Sequence, residues 1–143
     1  MSTAADACVF CAVVSGDAVA RIVFSDDHVV AFLDRSPVFK GHVLVVPRRH
    51  FATLPDLDAL DAQPFFSAVQ RIAAVVPRAL GADGTFVAIN NVVSQSVPHL
   101  HAHVVPRRRK DGLRGFFWPR VRYTDDREAD DFAMRLSAAL AER

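Results

Sequence analysis

Residues Val97–Arg107 read VPHLHAHVVPR, and they hold three of the chain's six histidines. The three stand at 99, 101 and 103, with Leu100, Ala102, Val104 and Val105 between and after them. On a β-strand successive side chains point to opposite faces. His99, His101 and His103 are therefore expected on one face, and Leu100, Ala102 and Val104 on the other, where they can cover a core. Neighbouring rings would stand roughly 6.5–7 Å apart along the strand. Protonating all three at once is disfavoured, because like charges repel and a middle ring is poorly solvated. Such a row suits metal ligation by neutral imidazole. It equally suits attack of an imidazole on phosphorus, with adjacent donors holding the phosphate oxygens. A chance or tag-like run is the plain alternative, but this run is interleaved with aliphatic residues inside a strand pattern.

Working outward, ARIVF (20–24) and HVVAFLD (28–34) read as two strands joined by the turn Ser25-Asp26-Asp27. GHVLVVP (41–47) reads as a third strand stopped by Pro47, TFVAINN (85–91) as a fourth and PHLHAHVVP (98–106) as a fifth. Between the third and fourth, residues 55–81 show helical spacing at Phe65, Val69, Ile72, Ala73, Val76 and Leu80. Asp61 is a plausible cap for this helix, Pro64 falls near its first turn, and Pro77 should kink or shorten its end. READDFAMRLSAAL (127–140) reads as a second helix with Phe132, Leu136 and Leu140 on one stripe. Cys8 to Ser15 reads as a short helical turn closed by Gly16. Residues 1–7 read as a disordered tail, and 8–143 as a single domain without repeats or a linker. Strands come in runs and not in alternation with helices, which predicts an α+β fold with an antiparallel sheet.

The 143 residues are 51% hydrophobic and 23% charged with a formal net charge of +1, an ordinary globular mix. The near balance of acids and bases argues against a general nucleic-acid binder. No apolar run approaches the ~20 residues that span a bilayer. MSTAADAC lacks a basic segment followed by a hydrophobic one, so no signal peptide and a cytoplasmic location are expected. In that setting a structural disulfide between Cys8 and Cys11 is disfavoured. Metal binding and redox exchange remain open for the pair.

Taken in order, CVFCAVVSGD (8–17), VVAFLDRSP (29–37), GHVLVVPRRH (41–50) and QSVPHLHAHVVPR (95–107) resemble the histidine triad (HIT) family of nucleotide hydrolases and transferases. The resemblance extends from Cys8 to about Trp118. It implies a five-stranded antiparallel sheet with two helices, usually in a homodimer. It implies that His101 attacks the α-phosphate of a nucleotide and that water hydrolyses the nucleotidyl-histidine. His103 and Ser96 would contact the phosphate or the leaving group, with His42 as a further active-site histidine. Asn90 and Gln95 would serve the phosphate end, Asp34 the ribose hydroxyls, and Ile22 and Phe32 the base. Each also has a plainer reading: His42 as a strand end, Asp34 as a turn residue, Ser96 as a local backbone bonder, Ile22 and Phe32 as core. The transferase branch carries glutamine at the last triad position, so His103 points to the hydrolase branches.

Cys8-x-x-Cys11 needs two further ligands to close a tetrahedral zinc site. His50 and His99 are the candidates, and some bacterial members of the family carry this same set, which implies a structural zinc. The opposing reading is a pair of reduced, partly buried thiols. On the zinc reading His99 holds metal, while His101 and His103 do chemistry. His28 fits none of these patterns. The basic run from Arg107 to Lys110, with Arg114 and Arg120 beyond, would hold a leaving polyphosphate, foremost through Arg107. Gly115–Arg120, GFFWPR, could be a lid, a stacking platform or packing, with packing favoured. The loop between Asn90 and Gln95 is short for the family, so Asn91 competes with Asn90 for its role. The expected activity is hydrolysis at a nucleoside α-phosphate, with dinucleoside polyphosphates such as diadenosine tetraphosphate as substrates. A purine nucleoside phosphoramidate hydrolase, and a nucleotide-binding regulatory module with little catalysis, are the alternatives.

Overall fold

Two buried apolar strands organise the chain in a computed structural model, which describes residues 4–113 and 120–142. The strands are β1 Ile22–Ser25, β2 Val29–Leu33, β3 Val43–Pro47, β4 Gly84–Ile89 and β5 Ala102–Arg107. They form one five-stranded sheet in the order β1-β2-β3-β5-β4, with every neighbouring pair antiparallel. Three helices accompany it, α1 Val9–Ser15, α2 Ala59–Leu80 and α3 Asp126–Ala141. The expected α+β class and the five antiparallel strands are present. The helix count rises from two to three, because the helical turn after Cys8 is a capped helix in its own right.

Alternation along β2 and β3 sorts their side chains onto two cores. Val29, Ala31, Val43 and Val45 pack with Leu100, Ala102 and Val104 against Phe65, Ala68, Val69, Ile72 and Val76 of α2. Val30, Phe32, Leu44 and Val46 pack on the other face with Cys8 and Phe10. Phe65 is fully buried, and removing such a ring from a packed core costs about 3–5 kcal/mol. The cap of α2 lies three residues before the expected one. Asp58 is the N-cap and accepts from the Leu60 N–H at 2.9 Å. Asp61 instead lies buried in the first turn, 2.7 Å from Arg49 Nη1 and 3.5 Å from His28 Nδ1. The helix runs three residues past Pro77 and ends at Gly81, whose left-handed backbone lets its N–H reach the Pro77 carbonyl.

The fifth strand is shorter than expected. It joins the ladder at Ala102, so His99 and His101 precede it. Pro98 has no N–H to give a ladder. The His99 N–H closes a tight turn onto the Val97 carbonyl at 2.8 Å, and the Leu100 N–H goes to Phe51 at 2.6 Å. Backbone donors are thus satisfied outside the sheet. The alternation survives all the same, since Leu100, Ala102 and Val104 are all fully buried on the α2 side.

The connection from β4 to β5 is held by side-chain amides. Gln95 accepts from the Val92 N–H at 2.9 Å and donates to the Ala52 carbonyl at 2.6 Å. Asn91 accepts from the Leu54 N–H at 2.8 Å, and Asn90 donates to the Ser94 carbonyl at 3.3 Å. Val92 and Ser94 both sit at positive φ, 71° and 61°.

By its internal contacts the chain divides into Met1–Asp111 and Gly112–Arg143. Within the second unit, Asp125 caps α3 by accepting from Glu128 N–H at 2.9 Å, and Arg135 pairs with Asp131 and lies over the Phe132 ring. Phe132, Leu136 and Leu140 are exposed. The aromatic segment GFFWPR lies, except for Arg120, outside the described residues. Among the described residues no helix is long and apolar enough to cross a membrane.

Candidate active site and metal cluster

A cleft of about 990 Å³ opens on the face of the sheet opposite α2. Its floor is Phe32 and Leu44. Its apolar end is Val9, Phe10 and Val13 of α1, and its polar end is Asp34, Ser96, His101 and His103. Alternation on β2 puts Phe32 on this face, and the end of β2 delivers Asp34. Asp34 is fixed by its own turn, its Oδ1 accepting from the Ser36 N–H at 2.8 Å. The hydroxyl of Ser96 has no hydrogen-bond partner among the described residues. The glycine before His42 is required by its backbone. Gly41 has φ 96°, and a Cβ there would also have to displace the end of the Leu80 side chain.

Hydrogen bonds assign the ring protons. His101 Nδ1 lies 2.7 Å from the His99 carbonyl. A carbonyl only accepts, so Nδ1 carries the proton and Nε2 keeps its lone pair. The Val38 N–H, which only donates, lies 3.1 Å from His42 Nδ1. His42 therefore carries its proton on Nε2 and donates it to His103 Nδ1 at 2.9 Å. That leaves an N–H on His103 Nε2. The result is a lone pair on His101 beside a donor on His103, with the two rings 5.0 Å apart between centroids. Burial pushes the His103 ring down to about 4, helped by the neighbouring His101 and His42 and opposed by Asp34. Burial lowers His42 as well. Both rings are neutral at pH 7. Asp34, His42 and His103 also offer ligand atoms within 4.8 Å of one another. Both nitrogens of His42 already have partners, so this group is better described as a proton-ordering relay than as a metal site.

At the other end of the row, His99 turns away from the cleft. Its Nε2–H donates to the Pro47 carbonyl at 2.9 Å, which leaves a lone pair on Nδ1. That nitrogen lies 3.4 Å from Cys8 Sγ and 3.5 Å from Cys11 Sγ, and His50 Nδ1 lies 3.2 Å from Cys11 Sγ. Ligands held about 2.0–2.3 Å from a tetrahedral zinc stand roughly 3.3–3.8 Å apart. The spacing and the soft donor set fit such an ion, and Cys8, Cys11, His50 and His99 could hold a metal. Burial pushes His99 down to about 4, with the Pro47 hydrogen bond opposing, and burial beside Cys8 pushes the Cys11 thiol up to about 11.

Other expected residues are placed differently. Ile22 is half exposed on β1, paired with Phe32 and outside the cleft lining. Asn90 spends its amide on the loop before Ser96, and Gln95 spends its own on that loop and on the Ala52 carbonyl. Arg107 is bound to Asp111 through two nitrogens at 2.6 and 3.1 Å, and it does not line the cleft. Val9, Phe10 and Val13 were missed as cleft residues. Their only signal in the sequence is the Cys-x-x-Cys spacing, which marks the sulfurs and not the residues between and after them.

A five-stranded antiparallel sheet thus brings His101 and His103 to the polar end of an apolar-walled cleft, beside Ser96 and Asp34. The chain matches the HIT domain model over residues 15–110 and belongs to that family. It is 35% identical over 141 residues to Protein hit of Bacillus subtilis, covering 97% of this chain and 95% of that one. The solved structure of a Zn-bound histidine triad family protein from Mycobacterium smegmatis is 37% identical, with a TM-score of 0.72 over 96% of this chain and 97% of that one. Two relatives are named for activities. An adenylylsulfatase of Arabidopsis thaliana is 31% identical over 78% of this chain and 58% of its own length. An asymmetrical bis(5'-nucleosyl)-tetraphosphatase of Schizosaccharomyces pombe is 34% identical over 57% of this chain and 46% of its own.

Proposed function

We propose that this protein hydrolyses nucleotides at the α-phosphate through a nucleotidyl-His101 intermediate, acting on the cytoplasmic pool as a homodimer, the assembly that the family resemblance implies. The observation that carries the reading is the 2.7 Å hydrogen bond from His101 Nδ1–H to the His99 carbonyl. It dictates which nitrogen attacks. His101 Nε2 forms a bond to phosphorus as the bond from phosphorus to the leaving group breaks. Water then cleaves the P–N bond, and the ring regains its lone pair. His103 Nε2–H and the Ser96 hydroxyl donate to phosphate oxygens, and donors already fixed in place are what phosphoryl transfer needs most. Asp34 accepts from the ribose hydroxyls, and Phe32, Val9, Phe10 and Val13 bracket the base.

The leaving group follows from the same relay. A ring pushed down to about 4 is neutral at pH 7, and a neutral imidazole N–H does not give up its proton. The site therefore favours groups that depart as anions, such as a phosphate chain or sulfate. This is in keeping with the two relatives named for such substrates, and it is our reason to favour diadenosine tetraphosphate over a phosphoramidate. The four-ligand cluster would hold zinc by its two thiolates and two imidazoles, and zinc there supplies a rigid structural anchor with no open coordination position. The test compares kcat/KM for diadenosine tetraphosphate, adenylyl sulfate and an adenosine phosphoramidate, with sedimentation to establish the dimer. Preference for the anionic leaving groups is expected. Faster turnover of the phosphoramidate would reverse the substrate assignment, and no turnover of any would end the enzyme reading.

A further inference from the structure

The metal cluster and the cleft share a wall. The two residues between Cys8 and Cys11 are Val9 and Phe10, and both line the cleft. Phe10 is the buried residue of α1. Its ring stands edge-on to His101 at 5.1 Å, to Phe32 at 5.4 Å and to His99 at 6.1 Å. α1 has seven residues, well short of the roughly 12–15 at which a helix begins to hold itself in water. Its placement depends on its ends, and its N-cap is Cys8, whose sulfur accepts from the Cys11 N–H at 3.4 Å.

A second connection runs through the backbone. His99 offers its ring to the two sulfurs and its carbonyl to His101 Nδ1–H. The residue that would be gripped by metal is the residue that assigns the tautomer of the nucleophile. Two routes therefore run from the cluster to His101, one through the side chain of Phe10 and one through the peptide of His99.

We propose that metal occupancy sets the nucleotide site: an ion on Cys8, Cys11, His50 and His99 fixes Phe10 as a wall of the cleft and holds His101 in its attacking tautomer. Phe10 and His99 are positioning residues in this scheme. The proposal rests on the nucleotide reading of the cleft only for its ligand arm, since the tautomer can be read without a nucleotide. Thiols alone would be a weaker clamp, because S–H is a poor donor and cannot fix two rings at once.

The experiment uses the full chain labelled with ¹⁵N in histidine, as purified and after metal depletion under reducing conditions. Metal is counted by elemental analysis. Long-range ¹⁵N–¹H correlation reads the His101 tautomer, and calorimetry reads Kd for adenosine 5′-monophosphate. The loaded protein should show one Nδ1–H tautomer at His101. Depletion should mix the tautomers and weaken the nucleotide at least about tenfold. Phe10→Leu should keep the full metal content and still weaken the nucleotide several-fold, a result that holds even if depletion unfolds the chain. Unchanged tautomer and unchanged Kd on depletion would overturn the proposal. So would a single tautomer in protein that never held metal, or wild-type affinity in Phe10→Leu. A loaded protein that fails to bind the nucleotide but whose tautomer responds to depletion would sink the nucleotide reading and leave the coupling intact.

Discussion

The two ends of the histidine row make a controlled comparison. His99 and His103 are both pushed down to about 4, chiefly by burial, and both are neutral at pH 7. They differ in what faces Nδ1. For His99 it is two sulfurs, and Nε2 is tied to a carbonyl. For His103 it is another histidine, and Nε2 is left for the cleft. Titration alone therefore does not separate the two proposed roles, metal ligand for His99 and phosphate donor for His103. The partner that fixes the tautomer does. His101 between them takes its tautomer from the peptide of the first and lies beside the free N–H of the second.

Removing metal should give the largest effect on this contrast. Structural zinc contributes on the order of 10 kcal/mol of apparent energy in small zinc-dependent peptides. Chelation, or Cys8→Ser, should lower the thermal midpoint by at least ~10 °C, measured by circular dichroism. A midpoint within a degree or two of wild type would show that the His99 end needs no ion. At the other end, His101→Ala should lower kcat for diadenosine tetraphosphate by about 10³-fold or more, roughly 4 kcal/mol. Nucleotide affinity should stay within a few-fold, and a slow analogue should leave adenylyl mass on wild type alone. Retained turnover would collapse the distinction between the two ends.

His42→Leu tests the relay. With Val38 no longer dictating the tautomer of His103, kcat should fall about ten- to a hundredfold with KM little changed, the scale seen when an orienting partner of a working imidazole is lost. An effect confined to KM would mean that His42 contacts substrate and does not order protons. The pH response follows from the depressed rings. The unfolded chain binds protons near 6.5 and the folded one near 4 at His99 and His103. The contribution of these two rings to folding stability is therefore fully present above about 6.5, is lost as pH falls from there towards 4, and levels off below. Denaturant melts from pH 4 to 7 should show that slope, and His103→Asn should flatten part of it. A slope that His103→Asn leaves untouched would assign the whole effect to the metal end.

Much of this was legible in the sequence. Period-two alternation at 99–105 is enough to put Leu100, Ala102 and Val104 in the core, where they are fully buried. The apolar runs at 28–34 and 41–47 marked two of the strands, and the structure shows these to be buried on both faces. The four metal-cluster residues follow from ligand chemistry plus the family resemblance. What was hidden depends on contacts between residues far apart in the chain. His42 meets His103 across 61 positions, and no periodicity encodes that. The late start of β5 is set by Phe51 taking the Leu100 N–H, a competition invisible in the strand's own residues. Asp58 over Asp61 as the cap was a choice between two suitable residues in one acidic stretch: Asp61 is buried against both Arg49 and His28, while Asp58 stays at the helix start, 3.6 Å from the same guanidinium. Phe10 was hidden because a seven-residue helix is too short to show a face.

Val92 carries a consequence of a different kind. A β-branched residue at φ 71° is a genuine outlier, and left-handed backbone costs such a residue roughly 1–2 kcal/mol. Gln95 and Asn91 act as pegs that keep this bent span taut beside Ser96. Val92→Gly should relax the tension and raise stability by about 1 kcal/mol after the added freedom of the unfolded chain is counted, measurable in urea. If kcat also changes in that variant, the tautness serves the hydroxyl; if it does not, the position is an open lever for making the protein hardier.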